Sequence, residues 1–595
     1  MTKAVLEAEN QGAAELTVAV IPSPTRPVPT SLHASLMARL DRLGAAKEVA
    51  QIGAAIGREF SHALLAAVAR KQDAELQSSL DRLIEAGLLF RQGVAPHATY
   101  LFKHALVQDA AYGTLLREPR RALHARIADT LESQFVEIAE NQPELLARHC
   151  TDAGLIEKAA RLWGKAGQRS LARSALVEAA EQLTRALAQI ASLPGTPGLR
   201  REQIKLQVAL INTLFHVKGY AASETKAAVE QARLLIEQAK TLGEAPEDPL
   251  LLFSVLYGLW VANLVAFNSA ICGDLATQFL SLAEKAGTTG PLMVGHQMVG
   301  ISLQSTGDII GGRAHYNQAL ALYDPLEHRP LATRFGQNST VVVLSRRSQA
   351  LWLLGYPEAA LVDAERALTH AREINHAASL MYTLSHGLLA RYQSGNYVNA
   401  TEISNELVAL AEDKGTLFWK ASGMMHQGCV CAMSGQPVDA VRMITSGLAG
   451  RELLGATLFA PFFLSYLARA YAELGNFEDA LHSIGEAITT VEATRESWCE
   501  AEVQRIAGEI TLLSPEPNGG EAAEVYFERA LAVARQQQAK SWELRSAMSM
   551  ARLWSDQGKE KQARDLLAPI YGWFTQGFDT RDLKEAKALL DALSS

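Results

Sequence analysis

The residues best suited to chemistry are His426, Cys429 and Cys431, in the segment HQGCVC. Imidazole and thiolate are zinc ligands, and structural zinc sites normally need four of them. On a helix, His426 and Cys429 share a face, whereas Cys431 is rotated away from it. No second ligand pair lies nearby, so the pattern favours a repeat helix whose thiols are small core residues. The pair His149 and Cys150 is interpreted in the same way, and no metal or cofactor is predicted.

Motifs of common catalytic sites are missing from the sequence. No segment fits G-x-x-x-x-G-K-[ST], G-x-S-x-G or H-E-x-x-H, and no G-x-G-x-x-G turn follows a strand. The 15 histidines are spread along the chain, with no serine or cysteine nucleophile at a recognisable strand-to-helix turn. A triad assembled only in space stays open. The sequence therefore predicts that this chain is not an enzyme.

The composition predicts a helical protein. The chain has 595 residues, 48% of them hydrophobic and 20% charged. Alanine and leucine are the commonest residues, and both are strong helix formers. The length exceeds one compact core, so it indicates several domains or one elongated array. The net charge of −8 supplies no general basic field for nucleic acid or an anionic membrane.

Cysteine usage and the first residues favour a cytoplasmic location. The 5 cysteines are too few and too scattered for a disulfide framework. The beginning, MTKAVLEAEN, has acidic residues where a secretory signal needs an apolar core. The uncharged segment Leu250 to Phe267 is long enough to be a membrane candidate, but it is interrupted by Ser254, Gly258 and Asn263 and lacks cationic flanks. We expect a buried repeat helix there and no membrane partner.

Glycines recur at the ends of apolar helical runs. Gly355, Gly395, Gly435 and Gly475 are spaced 40 residues apart. A small residue follows five positions after each, and other glycines share this offset; the repeat positions are Gly154, Ala159, Gly307, Gly355, Ala360, Gly395, Ala400, Gly435, Ala440, Gly475, Ala480, Gly558 and Ala563. A further small residue often follows twelve positions after the glycine. Glycine ends the first helix of a hairpin, and the small residue lets the second helix cross close to it. The pattern favours tetratricopeptide-like repeats over HEAT or armadillo repeats.

The segment 30–140 has the pattern of a winged helix: helices, then a short hairpin with a strand near Thr99 to Lys103. Its presumed recognition helix carries Asp73, Glu75, Asp81 and Glu85 against Arg82 alone. Phosphate would repel this face, so nucleic acid is not an expected partner.

The repeats predict a concave surface built from the first helix of each hairpin. A peptide, partner protein or small-molecule effector usually binds on such a surface. Phe418 and Trp419 are candidate anchors there, although core packing is the interpretation that the sequence favours.

Several segments resemble a family of large bacterial signalling proteins. They include TSLHASLMARLDRLGAAKEVAQIGAAIGREF (Thr30 to Phe60), YLFKHALVQDAAYGTLL and AGLIEKAARLWGKAGQRS (Ala153 to Ser170). They resemble the region that follows the ATPase module in adenylate/guanylate cyclase-linked AAA ATPases, which are signal-transduction ATPases with numerous domains (STAND). Thr2 to Glu9 is similar to the last helix of that ATPase module.

The resemblance implies an all-α chain: a module remnant and proline-rich linker at 1–29, a winged-helix domain at 30–140, and a tetratricopeptide-like solenoid at 141–595. It implies a regulatory and sensor role beside cyclase and ATPase modules that this sequence lacks, so no catalytic residue is carried over. Two alternatives stay open: a winged-helix transcription regulator, and one subunit of a split cyclase complex whose catalytic modules act in trans.

Overall fold

The computed structural model describes residues 30–219, 222–244, 248, 250–515 and 519–594. The chain divides into two compact units, one ending at Leu155 and the other beginning at Ile156. The remnant and linker predicted at 1–29 lie outside the described residues. The fold is mostly helical, with one small sheet in the first unit, as predicted.

The described part of the first unit consists of eight helices and three strands. In its first part, helices are followed by a β-hairpin, which is the order of a winged helix. The elements are α1 (Thr30–Asp41), α2 (Ala45–Ile56), β1 (Glu59–Ser61), α3 (His62–Ala69), α4 (Asp73–Glu85), β2 (Leu89–Gln92), β3 (Thr99–Phe102), α5 (Ala105–Gly113), α6 (Arg117–Gln134), α7 (Val136–Asn141) and α8 (Pro143–Ala153).

The sheet of this unit has the order β1-β3-β2, and both pairings are antiparallel. Phe60, Tyr100 and Phe102 are buried, and the ring centroids of Phe60 and Tyr100 lie 5.9 Å apart. The sequence predicted the hairpin of β2 and β3 but not β1, which has three residues and no periodicity of its own.

The outer face of α4 is acidic. Leu76, Leu80 and Leu83 are buried against the rest of the unit. Asp73 and Glu75 are exposed on this helix, where they would meet phosphate in a DNA complex. That nucleic acid is not a partner of this face stays a prediction.

The second unit is built from helical hairpins, each with an A helix and a B helix. The A helices are α9 (Ile156–Ala172), α11 (Pro197–Val217), α13 (Leu250–Val265), α15 (Thr289–Ser305), α19 (Ser339–Leu353), α21 (Ala377–His386) with α22 (Leu388–Gln393), α24 (Leu417–Met433), α26 (Ala460–Glu473), α28 (Glu500–Leu513) and α30 (Lys540–Asp556). The B helices are α10 (Leu176–Ala191), α12 (Ser223–Thr241), α14 (Ser269–Ala286), α16 (Ile309–Ala321), α20 (Pro357–Ile374), α23 (Tyr397–Asp413), α25 (Pro437–Glu452), α27 (Phe477–Thr494), α29 (Gly519–Gln536) and α31 (Glu560–Gly572). Short helices α17 (Pro325–His328) and α18 (Leu331–Phe335) precede α19, and α32 (Arg581–Ala592) follows α31.

The repeat glycines lie at helix ends with positive φ, between +72° and +94°. The amide after each glycine donates to the carbonyl five residues earlier, as Tyr356 does to Leu351 at 2.9 Å. This bond satisfies a carbonyl that the helix end would leave free, and a left-handed residue is needed to form it. Gly154 is the penultimate residue of the first unit, whereas Ala159 belongs to the second.

The small residues of the repeat lie where the two helices of a hairpin cross. Ala360, Ala400, Ala440, Ala480 and Ala563 have no exposed surface. The close crossing shows in a hydrogen bond of 2.7 Å, which the Ser348 hydroxyl donates to the carbonyl of Ala360. A side chain longer than alanine would separate these helices.

Successive turns of the repeat array contact each other. The carbonyl of Val265 accepts hydrogen bonds from the amides of Thr457 at 2.9 Å and Leu458 at 3.0 Å. Farther along, the Ser541 hydroxyl donates to the carbonyl of Trp352, 189 residues earlier. The inner surface is therefore enclosed between A helices rather than open along its whole length.

Gly355 lies at the contact between successive turns of the array, so its substitution is expected to lower the stability of the chain. A Cβ atom on Gly355 would lie 2.6 Å from Trp573 and 2.9 Å from Lys540, whereas nothing lies within 4 Å of one on Gly475. Both residues have positive φ, so alanine at either costs about 1 kcal/mol in backbone strain. We expect Gly355→Ala to cost about 1–3 kcal/mol more than Gly475→Ala because it also overpacks the contact. Urea unfolding of both variants measures the difference, and equal losses would contradict the role of Gly355.

The apolar segment Leu250 to Phe267 lies within the array. It forms α13, where residues around the whole circumference, including Phe253, Tyr257 and Trp260, are buried by neighbouring helices. Among the described residues, no helix combines the length and the apolar character needed to cross a bilayer.

Candidate functional site: a cavity within the repeat unit

A cavity lies among the A helices in the middle of the repeat unit. Its volume is about 60 Å³, and it is partly open to solvent. Residues of α13, α15, α19, α21, α22, α24 and α26 line it, together with the end of α25 and the loop that follows. Small-molecule sites are likewise concave and mainly apolar.

Aromatic side chains form much of the wall. Trp260, Phe418, Trp419, Phe459 and Phe463 line the cavity and are buried. The Trp419 indole N–H donates to Nδ1 of His216 at 3.2 Å, which fixes the ring on the inner side of α24. Phe418 and Trp419 are thus packed in the core, the interpretation that the sequence favoured, and they also face the cavity.

Arg346 reaches the cavity from the middle of α19. The residue is 3% exposed, and its Nε donates to the hydroxyl of Tyr382 at 2.8 Å. Its guanidinium carbon lies 5.1 Å from the ring centroid of Phe459. Stacking on an aromatic face holds the planar group in one orientation and leaves its remaining N–H donors at the edge.

Arg451 reaches the same cavity from the last turn of α25. It is 6% exposed, and its guanidinium carbon lies 4.9 Å from the ring centroid of Phe418. Its Nε is buried without a hydrogen-bond partner among the described residues. The pKa of Arg451 is lowered to about 10, chiefly by burial, while the charge of Glu496 opposes this shift and that of Arg346 adds to it. The guanidinium nevertheless carries its charge at neutral pH.

Histidines near the cavity are neutral. Burial lowers the pKa of His426 to about 3, and Arg451 acts in the same direction. Its two ring nitrogens lie 3.3 Å from the Ser385 hydroxyl and 3.4 Å from the Tyr392 hydroxyl. Burial and the charge of Arg346 lower the pKa of His386 well below its usual value. The positive charge at this site therefore comes from the two arginines.

The carboxyl group of Glu496 interacts electrostatically with both of these arginines. It lies behind Phe459, and its Oε1 accepts from the Phe459 amide at 2.8 Å and the Trp498 indole at 3.0 Å. Its Oε2 is buried without a hydrogen-bond partner among the described residues. Burial raises the pKa of Glu496 to about 7, although both hydrogen bonds and the two guanidinium groups oppose the rise.

The segment His426 to Cys431 lies on the unbroken helix α24. His426 faces the cavity, Cys429 is fully buried, and Cys431 is half-buried near Asp439 and Arg442. Burial raises the pKa of the Cys429 thiol, so it is not a thiolate at neutral pH. In the described part of the chain, no group of three or more histidine, cysteine or acidic residues is arranged to hold a metal ion.

The geometry of the site suits binding. It offers two fixed cations, aromatic walls and neutral imidazoles, whereas the thiol beside His426 is protonated. Sequence reasoning found Phe418, Trp419 and His426 but missed Arg346 and Arg451. The available signal for Arg346 was a pair of charges, Arg346 and Arg347, that follows the apolar run Val341 to Leu344 after Ser345 on an A helix.

No family model matches the chain. An uncharacterised protein of Rhizobium meliloti (strain 1021) is 26% identical over 532 residues, which are 88% of this chain and 50% of the relative. The chain therefore spans about half the length of this curated relative.

Among solved structures, a Rap protein complexed with competence and sporulation factor is 12% identical, with a TM-score of 0.46, over 65% of this chain and 99% of its own. A STAND protein with a tetratricopeptide repeat sensor from Pyrococcus horikoshii is 12% identical, with a TM-score of 0.29, over 96% of this chain and 67% of its own.

Proposed function

We propose that the chain is the non-catalytic regulatory and sensor region of a bacterial signalling ATPase, and that its repeat unit binds an effector in the cavity. The observation that carries the proposal is the enclosed cavity with two buried guanidinium groups on aromatic walls. A site of this kind takes up a ligand without needing a nucleophile or a metal.

The arrangement of the cavity suits the transmission of a signal. Its wall joins A helices from α13 to α26, and the loop after α25 also contacts the end of α13. A ligand that binds one packing of these helices better than another shifts the array towards that packing. The effector would thereby change how the repeat unit holds a partner module.

The partner module belongs to the proposal as well. The segments from Thr30 to Ser170 resemble the region that follows the ATPase module in cyclase-linked signalling ATPases. About half of the Rhizobium meliloti relative lies outside the match, which leaves room for further modules in that protein. We place nucleotide chemistry in such modules and regulation in this chain.

Two measurements test this function. We expect the purified chain to show no ATP hydrolysis and no cyclic-nucleotide synthesis above a heat-inactivated control. We also expect the reading frame immediately upstream to encode a P-loop, and its product to change its cyclase rate several-fold when this chain is present. Catalysis by the chain alone, or an upstream product whose rate the chain leaves unchanged, would contradict the proposal.

A further inference from the structure

The two arginines of the cavity differ from the other buried arginines of the repeat unit. Among its described residues, six arginines are less than 9% exposed. Four of them have a carboxylate within 4.0 Å: Arg200 with Glu244, Arg391 with Glu365, Arg505 with Glu502 and Arg545 with Asp582. Arg346 and Arg451 have none among the described residues, and only these two line the cavity.

An unpaired buried guanidinium destabilises a folded chain. Removing a charge from water is unfavourable unless a partner replaces the lost hydration. The aromatic rings beneath Arg346 and Arg451 offset part of this cost. The buried Nε of Arg451 still lacks an acceptor among the described residues. The site is thus arranged to receive an acceptor that is not part of the described chain.

The charge around the cavity indicates how many negative charges the occupant carries. Two guanidinium groups act on one nearby carboxyl group, Glu496. Even with Glu496 fully ionised, one positive charge stays uncompensated. With Glu496 ionised, one negative charge neutralises the site, and a planar carboxylate matches the fork of N–H donors on a guanidinium.

The walls and the size of the cavity indicate that the remainder of the ligand is apolar and small. The aromatic rings and the aliphatic side chains of Val261, Leu264 and Ile301 offer an apolar surface. The amides of Thr457 and Leu458 donate hydrogen bonds to the carbonyl of Val265 at the end of α13, and these bonds connect two parts of the cavity wall. The cavity volume of about 60 Å³ holds roughly four to six water molecules, so it accommodates a small molecule rather than a long peptide.

We propose that the cavity binds a small organic monocarboxylic acid, with its carboxylate between Arg346 and Arg451 and its apolar body against the aromatic wall. This ligand class rests on the proposed sensor function and specifies its effector. The neutral His386 and His426 border the same space and add no charge that would compete with the arginines.

Matched pairs of acids and amides test the proposal. Propionate and butyrate are the probes, propionamide and butyramide are their neutral controls, and titration calorimetry with the purified full chain measures binding. We expect at least one acid to bind at least tenfold more tightly than its amide. No binding by either acid, or equal binding of acid and amide, would overturn the proposal.

Variants locate the carboxylate. We expect Arg451→Met to weaken binding of the acid at least tenfold, and Arg451→Lys to restore part of it because the charge is kept. Arg442→Met is the control, since Arg442 lies on the same helix with a side chain that is 62% exposed. Thermal unfolding confirms that each variant folds, and Arg451→Met should be no less stable than the parent without ligand. Unchanged affinity in Arg451→Met would place the acid elsewhere and overturn the assignment.

The test of the ligand class can fail or succeed independently of the test of the sensor function. Failure of every acid to bind would remove the ligand class, while an effect of the chain on the upstream cyclase would still support regulation. Acid binding without any effect on the cyclase would support the ligand site and contradict the regulatory role.

Discussion

Arg545→Ala is expected to lower the free energy of unfolding by about 3–5 kcal/mol, because it removes one member of a buried charge network. Arg545 lies on α30 and is 7% exposed. Its guanidinium donates to Asp582 at 2.6 Å and to the side chain of Gln393 at 2.6 Å, and it lies 3.3 Å from Glu502. Gln393 precedes Arg545 by 152 residues, so the network joins successive turns of the array.

The pKa of Glu502 shows how the network works. Burial alone would raise this pKa, but the Arg505 and Arg545 guanidinium groups hold it at about 2. Removal of Arg545 leaves Asp582, whose side chain is 14% exposed, without this partner, and it leaves Glu502 with Arg505 but without Arg545. Both carboxylates then bear a desolvation cost that Arg545 had offset.

Arg552→Ala is the matched control for Arg545→Ala. Arg552 lies on the same helix and pairs with Glu585 at 3.2 Å, but its side chain is 47% exposed. Exposed pairs contribute about 0–1 kcal/mol, so we expect a loss within this range. Urea unfolding measures both variants, and hydrogen exchange of α22 should accelerate only in Arg545→Ala. Similar losses in the two variants would show that the network does not join the turns.

Glu496→Gln is expected to stabilise the chain increasingly as the pH rises, by about 2.5 kcal/mol between pH 5 and pH 8. The pKa of Glu496 is about 7 in the folded chain and 4.5 in the reference state. The folded state therefore binds this proton more tightly. The resulting stability is fully present below pH 4.5 and is lost as the pH rises through 7. Glutamine keeps an oxygen for the Phe459 amide and the Trp498 indole but does not ionise.

The groups facing Glu496 determine this pKa. They are the guanidinium groups of Arg346 and Arg451, the Phe459 amide and the Trp498 indole, while the Cys499 thiol lies nearby with its own pKa raised by burial. Subtraction of parent from variant at each pH removes the contribution of every other titrating group. Glu492→Gln, at an exposed position of α27, is the control and should show no such dependence. A difference between parent and Glu496→Gln that stays constant from pH 5 to pH 8 would contradict the prediction.

The repeat architecture was predictable because its signal is local. The 40-residue spacing from Gly355 to Gly475 reports a backbone requirement, since only a left-handed residue forms the bond that ends each A helix. The hairpin of β2 and β3 was also visible as alternation near Thr99 to Lys103. The three residues of β1 pair with β3 only through the tertiary fold, so they carried no such signal.

The cavity was less predictable than the repeats. Its two arginines are distinguished by the lack of a carboxylate within 4.0 Å among the described residues, and the sequence does not show this. Arg346 is followed directly by Arg347, and Arg391 is a single charge among apolar residues, but neither pattern shows whether a carboxylate lies near the side chain. Arg391 meets Glu365 at 2.9 Å, whereas Arg346 meets a tyrosine hydroxyl. The packing of helices far apart in sequence decides which arginine has a carboxylate partner. Aromatic residues such as Trp419 could be named as candidate anchors from the sequence, because a large aromatic side chain is a candidate by its type alone.

The contacts between successive turns also constrain how many hairpins the array can contain. Open solenoids gain or lose repeats readily, because each repeat contacts only its neighbours in sequence. Here Val265 must meet Thr457, and Trp352 must meet Ser541, at fixed separations along the chain. One hairpin added or deleted between Trp352 and Thr457 would put both contacts out of phase, together with the part of the cavity wall at Val265. Duplication of a single repeat, which lengthens other arrays harmlessly, would here be a loss-of-function mutation.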